Sequence, residues 1–191
     1  MRRALKNHSE VAHIWASQSQ AEGRAGHMFF EGDTIYSYGR HFAIARFVPM
    51  TRAGEAVVLF NSARYSNSTS KHQSLTRRAL TGRNVRVFDV PSLGVDTLDH
   101  DANARYYLGK IEEARGSASR AITAVAYWHD VMRDYILEAY RYAETFPIKD
   151  RKARAAIKAF KVMRERGALF TPEESAKMQA RTRAAAGARS Y

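Results

Sequence analysis

The spacing of apolar residues changes along this chain, and that change limits the folds open to it. Between residues 27 and 90, short apolar runs of strand-like period are separated by turn-forming residues. From residue 99 on, apolar residues recur at spacings of three and four. A block of strands followed by a block of helices is typical of an α+β fold or of two separate domains. We therefore predict an α+β domain over residues 1–95 and an all-α extension over 96–191.

The first half is expected to form an antiparallel sheet of four to five strands with flanking helices. Gly32-Asp33 is a two-residue link suited to a tight hairpin. The predicted strands cover residues 27–31, 34–38, 41–48, 56–60 and 84–90. A short helix capped by Ser9 should precede them, with a loop at Gly23 and Gly26. A second helix is predicted over 71–80, where Ser68 or Ser70 is the candidate cap.

The second half is predicted to be helical throughout. A shorter amphipathic helix covers 104–114 and is expected to break near Gly116-Ser117. A longer helix covers 121–143, and a third covers 149–166 and ends at Gly167. Thr171 followed by Pro172 and Glu174 is typical of a capped helix start. We expect the tail after residue 187 to be disordered.

The charge of the chain is strongly basic and unevenly distributed. The 191 residues hold 31 Lys and Arg against 19 Asp and Glu, a net charge of +12. Residues 1–95 carry +7, residues 96–148 carry −3 and residues 149–191 carry +8. Such a balance favours polyanionic partners, because neutralising phosphates releases counterions. Nucleic acid is therefore the predicted partner, and a role of the charge in solubility alone is the alternative.

Composition excludes several other classes of function. The chain has no cysteine, so it forms no disulfide, Cys-ligated zinc site or iron–sulfur cluster and has no thiol nucleophile. An H-E-x-x-H, P-loop or G-x-G-x-x-G motif is absent from the sequence. No apolar run approaches the ~20 residues that span a bilayer, and the N-terminus lacks the apolar run of a signal peptide. We expect a cytoplasmic protein with no membrane partner, no cofactor and no bound metal.

Two segments combine hydroxyls, a cation and a histidine beside a glycine or a helix start. They are 36–41 and 65–72. If they meet at one sheet edge, four side chains could surround a phosphate: Arg40, His41, Lys71 and His72. Four hydroxyl groups would then orient it: Tyr36, Tyr38, Ser68 and Ser70. The alternative is that a serine is only the helix cap and that the tyrosines pack on the sheet.

A basic stripe on the helix 149–166 is the second candidate phosphate-binding feature. Its members recur at helical spacing: Arg151, Arg154, Lys158 and Lys161. Arg77 and Arg78 join them as predicted phosphate contacts. The alternative interpretation is a solvated helix face.

Several further patterns have a structural explanation that we prefer. Ser68 and Lys71 fit the S-x-x-K spacing of serine acyl-enzymes, but the partner motifs S-D-N and K-T-G are absent. The run 99–101 could bind a divalent ion, although such a run more often caps a helix. His13 and His129 lie on apolar helix faces and are expected to be hydrogen-bonded core or interface residues. Aromatic residues of the sheet could stack bases if one face is uncovered: Phe29, Phe30, Tyr36, Tyr38 and Phe42.

Three segments of the first half show a family resemblance. They are His8 to Ala16, Phe29 to Phe42 and Tyr65 to Gln73. Over residues 8–79 the chain resembles an uncharacterised family of small proteins of bacteriophages and other mobile elements. The resemblance implies a phage or plasmid setting, hence the cytoplasm of a bacterial host, and it implies no biochemical activity.

The predicted function is that of a non-enzymatic phage or mobile-element accessory protein that binds nucleic acid through backbone phosphates. Phosphate contacts position a protein without reading sequence, so selectivity should be weak. The first alternative is an inhibitor directed at a host defence or nucleic-acid-processing protein, docking through the acidic middle segment and its aromatic helix. The second is a nuclease or phosphoryl-transfer enzyme that uses His41, His72 and Lys71.

Overall fold

A mixed sheet organises the first half of the protein. The computed structural model describes residues 4–48, 56–63, 65–94 and 97–188. Six strands lie side by side in chain order within these residues: β1 (Glu22–Ala25), β2 (Met28–Glu31), β3 (Thr34–Ser37), β4 (Ala43–Val48), β5 (Ala56–Phe60) and β6 (Val85–Asp89). Neighbours from β1 to β5 are antiparallel, whereas β6 is parallel to β5. The α+β class is confirmed, but the prediction of four to five antiparallel strands is wrong.

The direction of β6 follows from the helix between it and β5. That helix, α2 (Asn67–Leu80), carries the chain back along the sheet, so the next strand enters from the same end as β5. Parallel neighbours need such a crossover, whereas antiparallel neighbours can be joined by a tight turn. The strand spacing alone did not reveal this.

Strand β1 lies where a loop was predicted from two glycines. Gly23 pairs with Phe30 across the sheet. A Cβ atom at Gly23 would lie 2.6 Å from Leu5 Cδ1 and 2.7 Å from Phe30 Cε1. Glycine here permits close packing within a strand rather than marking a turn. Gly32, by contrast, turns the β2–β3 hairpin with φ +55°, as predicted.

Two helices pack on the sheet and on each other. They are α1 (His8–Ser17) and α2. The core beneath them includes Trp15, Phe30 and Val58, all fully buried. The Trp15 indole N–H donates to the Asp33 carbonyl at 3.0 Å, so the largest core side chain also fixes the hairpin.

The predicted N-terminal caps of these helices need two corrections. Asn7, not Ser9, caps α1 by accepting from the Glu10 amide. Ser66, not Ser68 or Ser70, caps α2 by accepting from the Thr69 amide at 3.2 Å. Ser66 lies one helical turn earlier than the predicted start because the polar run 65–70 is already helical from Asn67.

Four helices form the second half: α3 (His100–Arg120), α4 (Val125–Thr145), α5 (Arg151–Glu165) and α6 (Pro172–Gly187). Helix α3 is continuous through Gly116-Ser117, so the predicted break is wrong. The predicted helix 121–143 begins later than expected, so Ile122 lies before α4 and is 45% exposed. The capping box at Thr171 is confirmed, and α6 continues to Gly187, while the last residues of the predicted disordered tail, 189–191, lie outside the described residues.

The chain divides into two compact units, Met1–Asn103 and Ala104–Tyr191. The division falls in the first turn of α3, whereas the sequence prediction put the domain boundary at 95/96. Within the second unit, α4 packs on α5, and the Tyr107 ring of α3 lies 5.7 Å from the Tyr142 ring of α4. Buried residues of α5 include Ala153 and Ile157.

Candidate nucleic-acid interface

A buried hydrogen-bond network connects the start of α2 to the end of β3. Ser37 Oγ and His72 Nδ1 are 2.8 Å apart, and Ser37 Oγ lies 3.4 Å from Thr69 Oγ1. Thr69 Oγ1 accepts from the Ser66 hydroxyl at 3.0 Å. Ser37 and Thr69 are each 1% exposed. The sequence prediction missed Ser37 and Thr69, because only the folded sheet brings residues 37 and 72 together.

The network continues from His72 to His8 at the start of α1. His72 Nε2 and His8 Nδ1 are 3.2 Å apart, and the two rings meet edge to face. The Ser66 hydroxyl donates to Thr69, whereas the donors in the Thr69–Ser37, Ser37–His72 and His72–His8 pairs depend on the tautomer of His72. In either tautomer, a neutral His72 has a hydrogen-bond partner at both ring nitrogens.

The surroundings of His72 oppose its protonation. Burial, together with repulsion from the nearby His8 and His27, lowers the pKa of His72 from 6.5 to about 4. A neutral histidine cannot act as a phosphate-binding cation. The predicted role of His72 therefore has no support in this geometry.

The other members of the predicted phosphate site have different partners and exposures. The Arg40 guanidinium holds Glu31 through two hydrogen bonds of 2.8 Å, and this pairing raises the pKa of Arg40. His41 is exposed at the β3–β4 turn, where its ring lies beside Gly39. Lys71 is exposed on α2 although its neighbour His72 is buried. Within the described residues, no hydrogen bond or ion pair joins these four side chains to one another, and a phosphate site shared by them stays a prediction.

The hydroxyl-bearing residues of that predicted site differ in exposure, and one of them, Tyr38, has its ring 5.9 Å from the His72 ring. Tyr36 is buried against Phe29, with ring centroids 5.0 Å apart, whereas 49% of Tyr38 is exposed. The two would share a face in a regular strand, but β3 ends at Ser37 and Tyr38 takes φ +63°. Ser68 is exposed and Ser70 is half-buried on the first turn of α2.

Helix α2 presents two differently engaged basic groups. Arg77 pairs with Asp89, and its guanidinium lies 4.0 Å from the centre of the Phe60 ring. Lys71 and Arg78 lie seven residues apart on the exposed face of the helix, where α2 has no acidic residue. Lys71 and Arg78 are therefore the α2 cations that remain available to a polyanion.

Helix α5 carries the densest group of available cations. Its 15 residues include six Lys or Arg and one acid, Glu165. Arg151, Arg154 and Lys158 are exposed on the side opposite the buried Ala153 and Ile157, and none of the three has an acidic partner within the described residues. Lys161, the fourth predicted member, is engaged: it pairs with Glu165 at 3.5 Å and lies 3.9 Å from the centre of the Tyr140 ring.

The first turn of α5 is electrostatically unusual. Asp150 caps the helix by accepting from the amides of Lys152 and Ala153, and the Ala153 hydrogen bond is the main cause of its lowered pKa. Beyond this cap, the first turn holds basic and no acidic residues. Cations near a helix N-terminus interact unfavourably with the positive end of the helix dipole. An anion bound there is stabilised both by the dipole and by those cations.

The remaining sequence candidates are the acidic run 99–101 and two histidines, His13 and His129. Asp99 accepts from the Ala102 amide at 2.8 Å at the start of α3, and no group of three metal-ligating side chains occurs between residues 4 and 188 where the chain is described. His13 is exposed on α1, so the core position is wrong, whereas the alternative interface position stays a prediction. His129 is half-buried and stacks on Phe170 with ring centroids 5.0 Å apart, and burial lowers its pKa. Its Nε2 is buried without a hydrogen-bond partner among the described residues, so the predicted hydrogen bonding is not found at that atom.

The comparisons with known proteins give no relative to guide the interpretation. No family model, curated protein or solved structure matches the chain. No helix in the described ranges is long and apolar enough to cross a membrane.

Proposed function

We propose that the protein binds nucleic acid through backbone phosphates, with the exposed cations of α5 as the principal contacts. The observation that carries this proposal is the set of three cations without acidic partners in the described residues: Arg151, Arg154 and Lys158. Elsewhere the exposed cations include many in ion pairs, such as Arg40 with Glu31 and Arg141 with Glu138. Cations without such partners can be neutralised by phosphates at no loss of an internal pair.

The dimensions of this face suit a phosphate backbone. Residues 151 and 158 are seven positions apart, which corresponds to roughly 10 Å along a helix. One strand of a duplex carries a phosphate about every 3.4 Å along its axis. The α5 cations therefore span about three phosphates. Lys71 and Arg78 of the first unit are additional contacts of the same chemical kind.

Such contacts supply affinity without sequence selectivity, which fits an accessory protein of a phage or mobile element. The geometry favours a non-enzymatic role, because Ser37 and His72 are buried and bonded to each other. Support for the phage setting comes from the resemblance over residues 8–79.

The direct test measures binding of the purified protein to labelled single- and double-stranded DNA and RNA in Mg²⁺ between low and physiological salt. We expect micromolar or tighter binding that weakens steeply with salt and leaves the nucleic acid intact. Cleavage would favour the enzymatic alternative. Intact, unbound nucleic acid at low salt would contradict the proposal.

A protein partner for the second unit is a second candidate function. Its support is the exposure of Tyr127, 61%, and of Ile122, 45%, in a region with a groove of about 560 Å³. Phe170 and Met178 are among the residues that line this groove. Affinity purification from host cells would compare the wild type with an Ile122→Glu/Tyr127→Glu variant. A partner recovered equally with both would contradict this docking surface.

A further inference from the structure

Two tyrosines are exposed at the end of the sheet where β3 ends and α2 begins. Of Tyr38, 49% is exposed, and of Tyr65, 74%. They are the large hydrophobic side chains most exposed among the described residues of the first unit. The remaining sheet aromatics predicted to stack bases are covered: Phe29, Phe30 and Tyr36 are buried, and Phe42 is half-buried.

Both exposed tyrosines are supported by neighbouring rings, and the Tyr38 ring also lies 5.9 Å from the buried His72 ring at an angle of 35°. The Tyr38 ring stacks on the His27 ring at a centroid distance of 4.6 Å and an angle of 14°. The Tyr65 ring contacts the Phe42 ring at 5.5 Å. These contacts restrict the orientation of the exposed rings before any ligand arrives, which lowers the entropy lost on binding.

The backbone on both sides of the pair is held by the buried network. Tyr38 follows Ser37, and Tyr65 precedes Ser66; both of these serines contact the Thr69 hydroxyl. The two rings therefore flank one fixed point at the start of α2. Tyr38 also takes φ +63°, which is costly for a residue with a Cβ, and its amide donates to the His27 carbonyl at 2.6 Å. This strained backbone conformation keeps an aromatic ring half exposed, a combination found at ligand-binding sites.

We infer that Tyr38 and Tyr65 are stacking platforms for unpaired bases, so that the preferred ligand is single-stranded nucleic acid. This inference rests on the proposed function and names the ligand class. Only an unpaired base offers its face to a side chain, since the bases of a duplex cover one another. The charge of the helix that follows Tyr65 fits the same ligand, because Lys71 and Arg78 are exposed along α2 and the helix has no acid.

The test compares Leu and Phe substitutions at the two tyrosines. Tyr38→Leu and Tyr65→Leu remove the ring but keep an apolar side chain, whereas Tyr38→Phe and Tyr65→Phe retain the ring as matched controls. Fluorescence anisotropy would measure affinity for 12-nucleotide oligo(dT), oligo(U) and a 12-base-pair DNA duplex at one salt concentration. We expect each Leu variant to bind the single strands about tenfold more weakly, with duplex affinity unchanged and both Phe variants within about twofold of wild type.

The single-strand probes separate DNA from RNA as the source of the bases. Leu variants that bind single strands as tightly as wild type would overturn the inference while leaving the proposed function intact. Equal losses for single strands and duplex would overturn it as well, because stacking would then not be the interaction removed. Tyr65 lies outside any strand or helix, so its variants keep the test valid if a Tyr38 variant fails to fold. A wild type that binds no probe would contradict the proposed function together with this inference.

Discussion

The stability of the first unit depends on pH because this unit buries a neutral His72. The pKa of His72 is about 4 in the folded protein, mainly because the side chain is buried. In the unfolded chain it returns to the ordinary value of 6.5. Between these two values the unfolded state binds more protons than the folded state. The contribution of His72 is therefore fully present above pH 6.5 and is lost as the pH falls towards 4.

The size of this effect follows from the two pKa values. A shift of one pKa unit corresponds to about 1.4 kcal/mol. Between pH 7.5 and 4.5 the loss amounts to about 2.5 kcal/mol of unfolding free energy, and about half of it has occurred by pH 5.5. His72→Gln cannot take up this proton, so it removes the pH-dependent part while also removing the bonds to Ser37 and His8.

Urea unfolding at pH 7.5, 5.5 and 4.5 measures this difference. The chain has two tryptophans, so Trp128→Phe leaves the buried Trp15 as a fluorescent reporter of the first unit. In that background we expect the wild type's advantage over His72→Gln to shrink by about 2.5 kcal/mol from pH 7.5 to 4.5. The control is His13→Gln, a change at an exposed histidine. It should change the free energy of unfolding by no more than about 0.5 kcal/mol at any of the three pH values. An advantage of His72 that is the same at every pH would refute the reasoning.

Two further predictions concern local structure. Gly23→Ala places a methyl group against Leu5 and Phe30 and should lower the free energy of unfolding by about 1–3 kcal/mol. Urea unfolding followed by the same tryptophan fluorescence measures this loss. An unchanged urea midpoint would contradict the close packing that explains the glycine in β1. Thr171→Ala removes the cap of α6 and should destabilise the start of that helix by about 1 kcal/mol. We expect faster amide hydrogen exchange in the first turn of α6 and no change in α5. Unchanged exchange in the first turn of α6 would show that the cap does not stabilise the helix start.

Local signals in the sequence were enough for part of the fold. The Gly32-Asp33 hairpin and the Thr171 cap were predicted because turn and cap chemistry acts over a few neighbouring residues. The same logic failed at Gly23, since the reason for that glycine is Phe30 on the next strand. The direction of β6 was missed because the crossover through α2 is a property of the whole sheet.

The candidate sites divide in the same way. The α5 face follows from helical spacing, so Arg151, Arg154 and Lys158 could be placed together from sequence. Spacing could not show that Lys161 is taken up by Glu165 and Tyr140. Nor could it show that His72 turns inwards to Ser37, because that contact joins residues 35 positions apart. In the structure, His72 therefore belongs to a buried hydrogen-bond network and not to the predicted phosphate site.

The role of α5 is tested most directly by the salt dependence of nucleic-acid affinity in a neutralised variant. The variant replaces three cations by glutamine: Arg151, Arg154 and Lys158. The control makes the same change in net charge at three cations that have acidic partners: Lys110, Arg133 and Arg141. The affinity of each protein for a duplex would be measured at several salt concentrations, with circular dichroism to confirm folding.

The slope of log affinity against log salt changes by about 0.9 for each duplex phosphate that is no longer neutralised. We predict a slope shallower by about 2 to 3 in the α5 variant, together with weaker binding, and a change below about 1 in the control. Equal slopes for the wild type and the folded α5 variant would contradict the account, because the three cations would then not contact phosphates.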